Sequence, residues 1–435
     1  MGNLLSWKEI RKNVFFIYNN SSEGIVYSPL QGKFFSADGD CIDVVNDYIK
    51  LGNPVDHEFH NTLDEAELLT PVIEPEVIRG KPYQPSEVMI SLSNSCNLRC
   101  IYCYAETGSE IKTLPWASIV QTISQLFKYA VEFNRKTVEI TFHGTGETFV
   151  KWETLVKTVD LALSIKPKNV DVDFSIVTNG TLVNTERANF LAKHNFFITL
   201  SIDGLSEIQN RQRPKANGDG SFDDSINGLK LLLKAGIRVA IRSTITGDNQ
   251  REMPEFVRYC IELGCKNITL MPFSAVGRGV DGITPLDKDI FVKNFLDAQK
   301  IASDFRVNLR MPGAEISKSR ISICGACGKN CEVTPSGDIS CCSRVTKKDD
   351  PLSKVFFIGK VTEQGFYIDQ DKVDELVDLN IYSYQECSVC FAKYQCSGGC
   401  HHDRLFFGKM PAIWCDIARE LLWHELRDLA VTSPL

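Results

Sequence analysis

From residue 87 to residue 271 the chain repeats one pattern, a short apolar run followed by a longer stretch with apolar residues at helical spacing. The runs at 88–92, 138–142, 172–177, 196–200, 239–244 and 267–271 are rich in β-branched and aromatic side chains and predict strands. The stretches between them, 114–133, 153–165, 186–194, 223–235 and 251–263, predict amphipathic helices. Six strands separated by helices predict an α/β fold of parallel βα units, and right-handed crossovers leave a barrel or an open doubly wound sheet. Polar and Gly-rich signatures recur just after the strand ends: Gly144 through Glu147, Asn179-Gly180 and Asp203-Gly204. The carboxyl ends of parallel strands are where such folds place ligands.

Ahead of this repeat, β-rich runs such as Phe15-Phe16-Ile17-Tyr18 and Gly24-Ile25-Val26-Tyr27 alternate with a helical stretch over 41–51, which carries Ile42, Val45, Tyr48 and Ile49 on one face. These predict a small α+β module. Pro71, Pro75, Pro82 and Pro85 then mark an extended connector. Beyond residue 305 the rhythm dissolves into Cys- and Gly-rich chain with one last helix, about 416–430. Three domains are expected: 1–85, an α+β module with its linker; 86–305, the βα repeat; and 306–435, a metal-ordered region.

Charge removes some function classes. With 48 Lys and Arg against 55 Asp and Glu, the net charge of -7 gives no general attraction to nucleic acid. No run approaches the ~18 apolar residues of a membrane span, and the N-terminus lacks the basic-then-apolar pattern of an export signal. The expectation is a cytoplasmic protein with no membrane partner. Thirteen of the sixteen cysteines fall in three clusters and a late outlier: Cys96, Cys100, Cys103; Cys324, Cys327, Cys331, Cys341, Cys342; Cys387, Cys390, Cys396, Cys400; then Cys415. In a reducing compartment such spacing favours metal over disulfides. Cys41, Cys260 and Cys265 stand apart.

Cys96, Cys100 and Cys103 lie within eight residues directly after the first strand of the repeat. Three thiolates can hold a [4Fe-4S] cluster and leave its fourth iron open to bind and reduce something. A zinc site short of a ligand, or buried apolar cysteines, are the alternatives. The spacing C-x3-C-x2-C, with Tyr102 as the aromatic before the last Cys, resembles the signature of the radical S-adenosylmethionine (SAM) superfamily. That resemblance implies a partial (β/α)6 TIM-like barrel and continues downstream in order. Thr145-Gly146-Glu147-Thr148 lies where the family has Gly-Gly-Glu-Pro, which implies that Gly146 and Glu147 hold the amino group of SAM. Ser201-Ile202-Asp203-Gly204 and Arg213 resemble the stretch in which Ser meets the ribose and Arg the carboxylate, groups that a hydroxyl and a guanidinium fork suit. Asn179 and Arg242 are further candidates.

The C-terminal spacing, Cys387-x2-Cys390-x5-Cys396-x3-Cys400 then Cys415, with Gly337-x4-Cys342 and Cys324 upstream, resembles the SPASM pattern of radical SAM enzymes. It implies two further [4Fe-4S] clusters, three in all. The family's interleaved ligation gives one cluster Cys324, Cys331, Cys342 and Cys400, and the other Cys387, Cys390, Cys396 and Cys415, with Cys327 and Cys341 able to replace Cys324 or Cys342. Structural zinc is the alternative, since four-cysteine spacings serve both metals. Residues 1–85 resemble the peptide-recognition element of maturases of ribosomally made peptides. The resemblance as a whole implies an enzyme that uses a 5′-deoxyadenosyl radical to take a hydrogen from a precursor peptide and cross-link it, fed by a donor such as flavodoxin or ferredoxin. The alternatives are an anaerobic sulfatase-maturating enzyme, whose members place Asp where this chain has Ser343, and a non-catalytic zinc or iron–sulfur module.

Overall fold

In the computed structural model, residues 5–19, 23–38, 44–45, 47–48, 57–105, 107 and 110–432 are described. The helix expected over 41–51, and Cys41 with it, lies largely outside them. The chain forms two compact units: Met1–Ile78 with Met311–Cys324 and Leu379–Leu435, and Arg79–Arg310 with Gly325–Asp378.

In the first unit β1 (Leu5–Arg11), β2 (Val14–Asn19), β3 (Glu23–Ser28) and β4 (Lys33–Asp38) form an antiparallel sheet in chain order. Side chains alternate between its faces, yet the runs are apolar throughout because both faces are covered. Phe16, Val26 and Phe35 pack with Phe59, Leu63 and Leu68 on one side. Phe15, Ile17, Ile25 and Tyr27 pack on the other with Phe391, Leu422, Trp423 and Leu426, the last three from the helix Ala412–Thr432.

The second unit is built on β5 (Glu87–Ile90), β6 (Thr137–Phe142), β7 (Asp171–Thr178), β8 (Phe197–Ser201), β9 (Arg238–Ile245) and β10 (Asn267–Pro272). All six are parallel and neighbour one another in chain order. That is the partial (β/α)6 arrangement. Helices at Trp116–Glu132, Trp152–Ile165, Thr185–Lys193, Phe222–Lys234 and Met253–Glu262 separate the strands as the periodicity predicts. In the first of these Ile119, Ile123, Leu126, Phe127 and Ala130 fall on one buried stripe. Between residues 86 and 305 two helices escaped the pattern. Ser206–Gln212 is short and polar, and Lys288–Asp304, capped by the Asp287 carboxylate on the amide of Ile290, follows the last strand.

Past β10 the sheet is flanked rather than ended. A short β11 (Asn308–Arg310) runs parallel to β10, and β12 (Glu332–Val333) runs parallel to β5 at the opposite edge. β13 (Asp338–Ser340), β14 (Phe357–Thr362) and β15 (Gly365–Ile368) continue it antiparallel. β11 and β12 are not neighbours, so the barrel stays open. The chain past 305 is therefore more regular than one helix in an irregular stretch. Its strands of two to six residues are too short for a periodic signal.

Candidate active site

The carboxyl ends of β5, β6, β7 and β8 and the loops after them carry the polar groups of the site. The loop after β5 carries Cys96, Cys100 and Cys103, whose thiols lie close enough to perturb one another. Burial pushes Cys96 up to about 12 and Cys100 up to about 11, so binding a metal there must release protons. Two segments clamp this loop. The chain after Ser206–Gln212 bonds to it through Arg99 N to Pro214 O at 2.7 Å and Ala216 N to Asn97 O at 2.9 Å. From the far side Arg278 donates to the Cys100 carbonyl at 3.0 Å and to the Thr107 carbonyl, while its own amide bonds the Cys103 carbonyl. Sequence reasoning missed Arg278; its flanking Gly277 and Gly279 were the available signal.

Glu147 lies in the loop after β6 and is only 4% exposed. Its carboxylate accepts from Phe149 N at 3.1 Å, Thr178 Oγ1 at 2.8 Å and Asn179 N at 2.8 Å, tying the ends of β6 and β7 together. Burial raises its pKa against those bonds. Gly146 has φ +82, and a Cβ there would come within 2.4 Å of Ser93 O and 2.5 Å of Ser95 O, so this backbone admits no side chain. Asn179 donates its side-chain amide to Asn97 Oδ1 at 3.0 Å, joining β7 to the cysteine loop.

Ser201 ends β8, and Asp203 and Arg213 follow it. Among the described residues the Ser201 hydroxyl makes no hydrogen bond, whereas Arg213 donates to the Tyr102 hydroxyl at 2.5 Å and lies 3.9 Å from Asp203. Tyr102 in turn donates to Asp203. Asp203 accepts from Thr244 N at 3.0 Å and Gln212 Nε2 at 3.1 Å. The structure thus brings Tyr102, Arg213 and Asp203 into one network beside Cys100, which the guanidinium and the carboxylate both influence.

Glu332 on β12 was also missed. It is fully buried with neither carboxylate oxygen hydrogen-bonded. A Cβ on Gly144 would lie 2.3 Å from one of them. Tyr104, next to Cys103, bonds the Gly144 carbonyl at 3.0 Å.

The remaining cysteines divide between the units. In the second, Cys341 donates to the Asn330 carbonyl at 3.2 Å, and Cys327, Cys331 and Cys342 lie near enough to add to the rise that burial imposes on its thiol. Cys324 and Cys400 belong to the first unit. There Cys387, Cys390, Cys396 and Cys415 line one pocket, together with Lys393, Arg404 and Arg419. Among the described residues no three His, Cys, Asp or Glu side chains are gathered to grip a single metal ion, and no helix is long and apolar enough to cross a membrane.

A family model describing the radical SAM superfamily matches residues 90–260. The cysteine-type anaerobic sulfatase-maturating enzyme of Clostridium perfringens is 23% identical over 323 residues, covering 72% of this chain and 87% of that protein. Among solved structures, native anSMEcpe with bound AdoMet and Cp18Cys peptide superposes with a TM-score of 0.63 at 21% identity, over 80% of this chain and all of that one. Streptococcus suis SuiB bound to precursor peptide SuiA gives 0.52 at 16% identity, over 93% of this chain and 98% of that one.

Proposed function

From the premise that this chain is an enzyme built on a radical SAM domain at residues 90–260, we propose that it matures a ribosomally made precursor peptide by forming an intramolecular C–C, C–O or C–S cross-link. The observation that carries this reading is the reach of the likeness. It spans 93% of the chain against SuiB but 80% against anSMEcpe, a difference of the order of the N-terminal sheet and its helix. Ser343, standing where sulfatase-maturating enzymes place Asp, also favours cross-linking over formylglycine formation.

Cys96, Cys100 and Cys103 would hold the cluster that reduces SAM, and SAM chemistry would supply a 5′-deoxyadenosyl radical. This chain's residues supply aim. Gly146 offers backbone at a point closed to side chains, Glu147 fixes that backbone to β7, and Ser201 presents a free hydroxyl to the ribose. Arg213 would exchange part of its bonding to Tyr102 and Asp203 for the SAM carboxylate. Cys387, Cys390, Cys396 and Cys415 would hold a second cluster. Cys324, Cys331, Cys342 and Cys400 would hold a third, with Cys327 or Cys341 as substitutes. A flavodoxin or ferredoxin would be the electron donor.

Co-expression with a candidate precursor tests the reading. A product short of two hydrogens, which resists fragmentation between the linked residues, is expected; an aldehyde that reacts with hydrazide would establish formylglycine formation instead. Anaerobic reconstitution should give about twelve irons per chain, and changing Cys96, Cys100 and Cys103 together to Ala should leave about eight and abolish SAM cleavage. Zinc in place of iron would overturn the cluster assignment.

A further inference from the structure

The four-cysteine pocket of the first unit holds two guanidinium groups that the reading above leaves without a role. Arg419 Nε donates to Cys390 Sγ at 3.5 Å and Arg404 Nη2 to Cys387 Sγ at 3.7 Å. Both are sheltered, at 6% exposure for the Arg404 side chain and 21% for Arg419. Each is also fixed from behind. Arg404 lies 3.8 Å over the Tyr384 ring and bonds the Gly398 carbonyl at 2.7 Å; Arg419 lies 4.8 Å over Trp7. Their carboxylate partners, Glu386 and Asp416, are about half exposed, so water screens those charges more than it screens the cations turned toward sulfur. Lys393, the third cation lining the pocket, donates to the Ser388 carbonyl at 3.2 Å. Four thiol ligands with two cationic donors already aimed at their sulfurs fit an anionic cluster.

We propose that Arg404 and Arg419 set the reduction potential of a cluster held by Cys387, Cys390, Cys396 and Cys415, making it the acceptor of the electron that the peptide radical gives up. The inference rests on the iron-ligand reading of these four cysteines and on the cross-linking reaction proposed above. In that step a cluster held by these cysteines would take up the one electron that the peptide radical loses, together with a proton passed to water, as its new bond closes. Reduction adds negative charge to a core already surrounded by thiolates. Hydrogen bonds to sulfur and nearby positive charge favour the reduced form, and so raise the potential. Both arginines are positioning residues.

The test is a redox titration, followed by electron paramagnetic resonance, of the full-length reconstituted protein and of its R419Q and R404Q variants. Each variant should keep its full iron load and cleave SAM normally with dithionite. One cluster signal should titrate at lower potential, its reduction about tenfold less favourable per guanidinium removed, or about 59 mV for one electron. R419K should recover part of the shift. Incubated with precursor, the variants should release 5′-deoxyadenosine without matching cross-linked product. An unchanged midpoint at full iron load overturns the inference and leaves the ligand set standing. Loss of iron in R419K as well as R419Q makes the arginine structural and also overturns it. If Cys387 and Cys390 changed together to Ala retain all the iron, the ligand reading beneath it fails instead.

Discussion

His143 follows β6 directly, and its imidazole is held down to about 4, chiefly by burial and then by Arg242. An unfolded histidine titrates near 6.5, so between pH 6.5 and 4 the unfolded chain takes up a proton that the folded one refuses. Stability from this group is complete above pH 6.5 and falls as the pH drops toward 4. The side chain is only partly buried, which reduces the effect to about 2 kcal/mol. His143→Gln should flatten that acid limb. Denaturant unfolding at pH 7 and pH 5 in the same state of metal loading would show it, and equal pH dependence in both proteins would clear His143. At Arg213 the network with Tyr102 and Asp203 sharpens another expectation. Arg213→Ala should weaken SAM binding more than Ser201→Ala, because charge-assisted bonds contribute about 1.5–3 kcal/mol against about 1 for a neutral one. Equilibrium binding of SAM to the reconstituted variants decides the order. Arg213 was legible because it follows a recognisable Ser-x-Asp-Gly stretch. Its pairing with Tyr102 and Asp203 was not, although both residues were singled out, since a pair formed by Tyr102 and Arg213, 111 residues apart, leaves no local pattern.

At the scale of elements, the six parallel strands were legible to within two residues at either end, because buried parallel strands read as unbroken apolar runs. The cysteine loop was legible by its spacing. What clamps the loop was not: Arg278 and its neighbours reach it from beyond β10. Gly277 has φ +57, and a Cβ there would lie 2.7 Å from the Cys103 carbonyl and from Tyr104 Cα. Both the conformation and the contact oppose any side chain. Gly277→Ala should therefore displace the loop's last cysteine, removing about four of the expected twelve irons and most SAM cleavage while leaving the far-ultraviolet dichroism intact. Full iron retention would show that the loop yields without losing its cluster.

At the scale of the whole molecule, the sequence announced a cysteine-rich region but not how the chain distributes it. Contiguous segments are all that composition reveals, whereas the first compact unit is assembled from three separate ones. Phe15, Ile17, Ile25 and Tyr27, from the N-terminal sheet, are buried against Phe391, Leu422, Trp423 and Leu426, whose own chain carries Cys390, Cys396 and Cys415. Fully burying one such side chain contributes about 1.5–3 kcal/mol, so four amount to roughly 6–12 kcal/mol, comparable to the entire stability of a typical domain. Deleting residues 1–78 would strip that cover from the segment holding the four-cysteine pocket. The truncated chain should lose about four irons and the visible absorbance that goes with them, while the cysteine loop after β5, in the other unit, keeps its cluster and its SAM cleavage with artificial reductant. Trp423→Ala, costing about 3–5 kcal/mol at a fully buried site, should produce the same selective loss in the full-length chain. Should both proteins retain all their iron, the sheet would be dispensable for the pocket, and a failure of the truncated enzyme to modify precursor could then be assigned to lost peptide recognition alone.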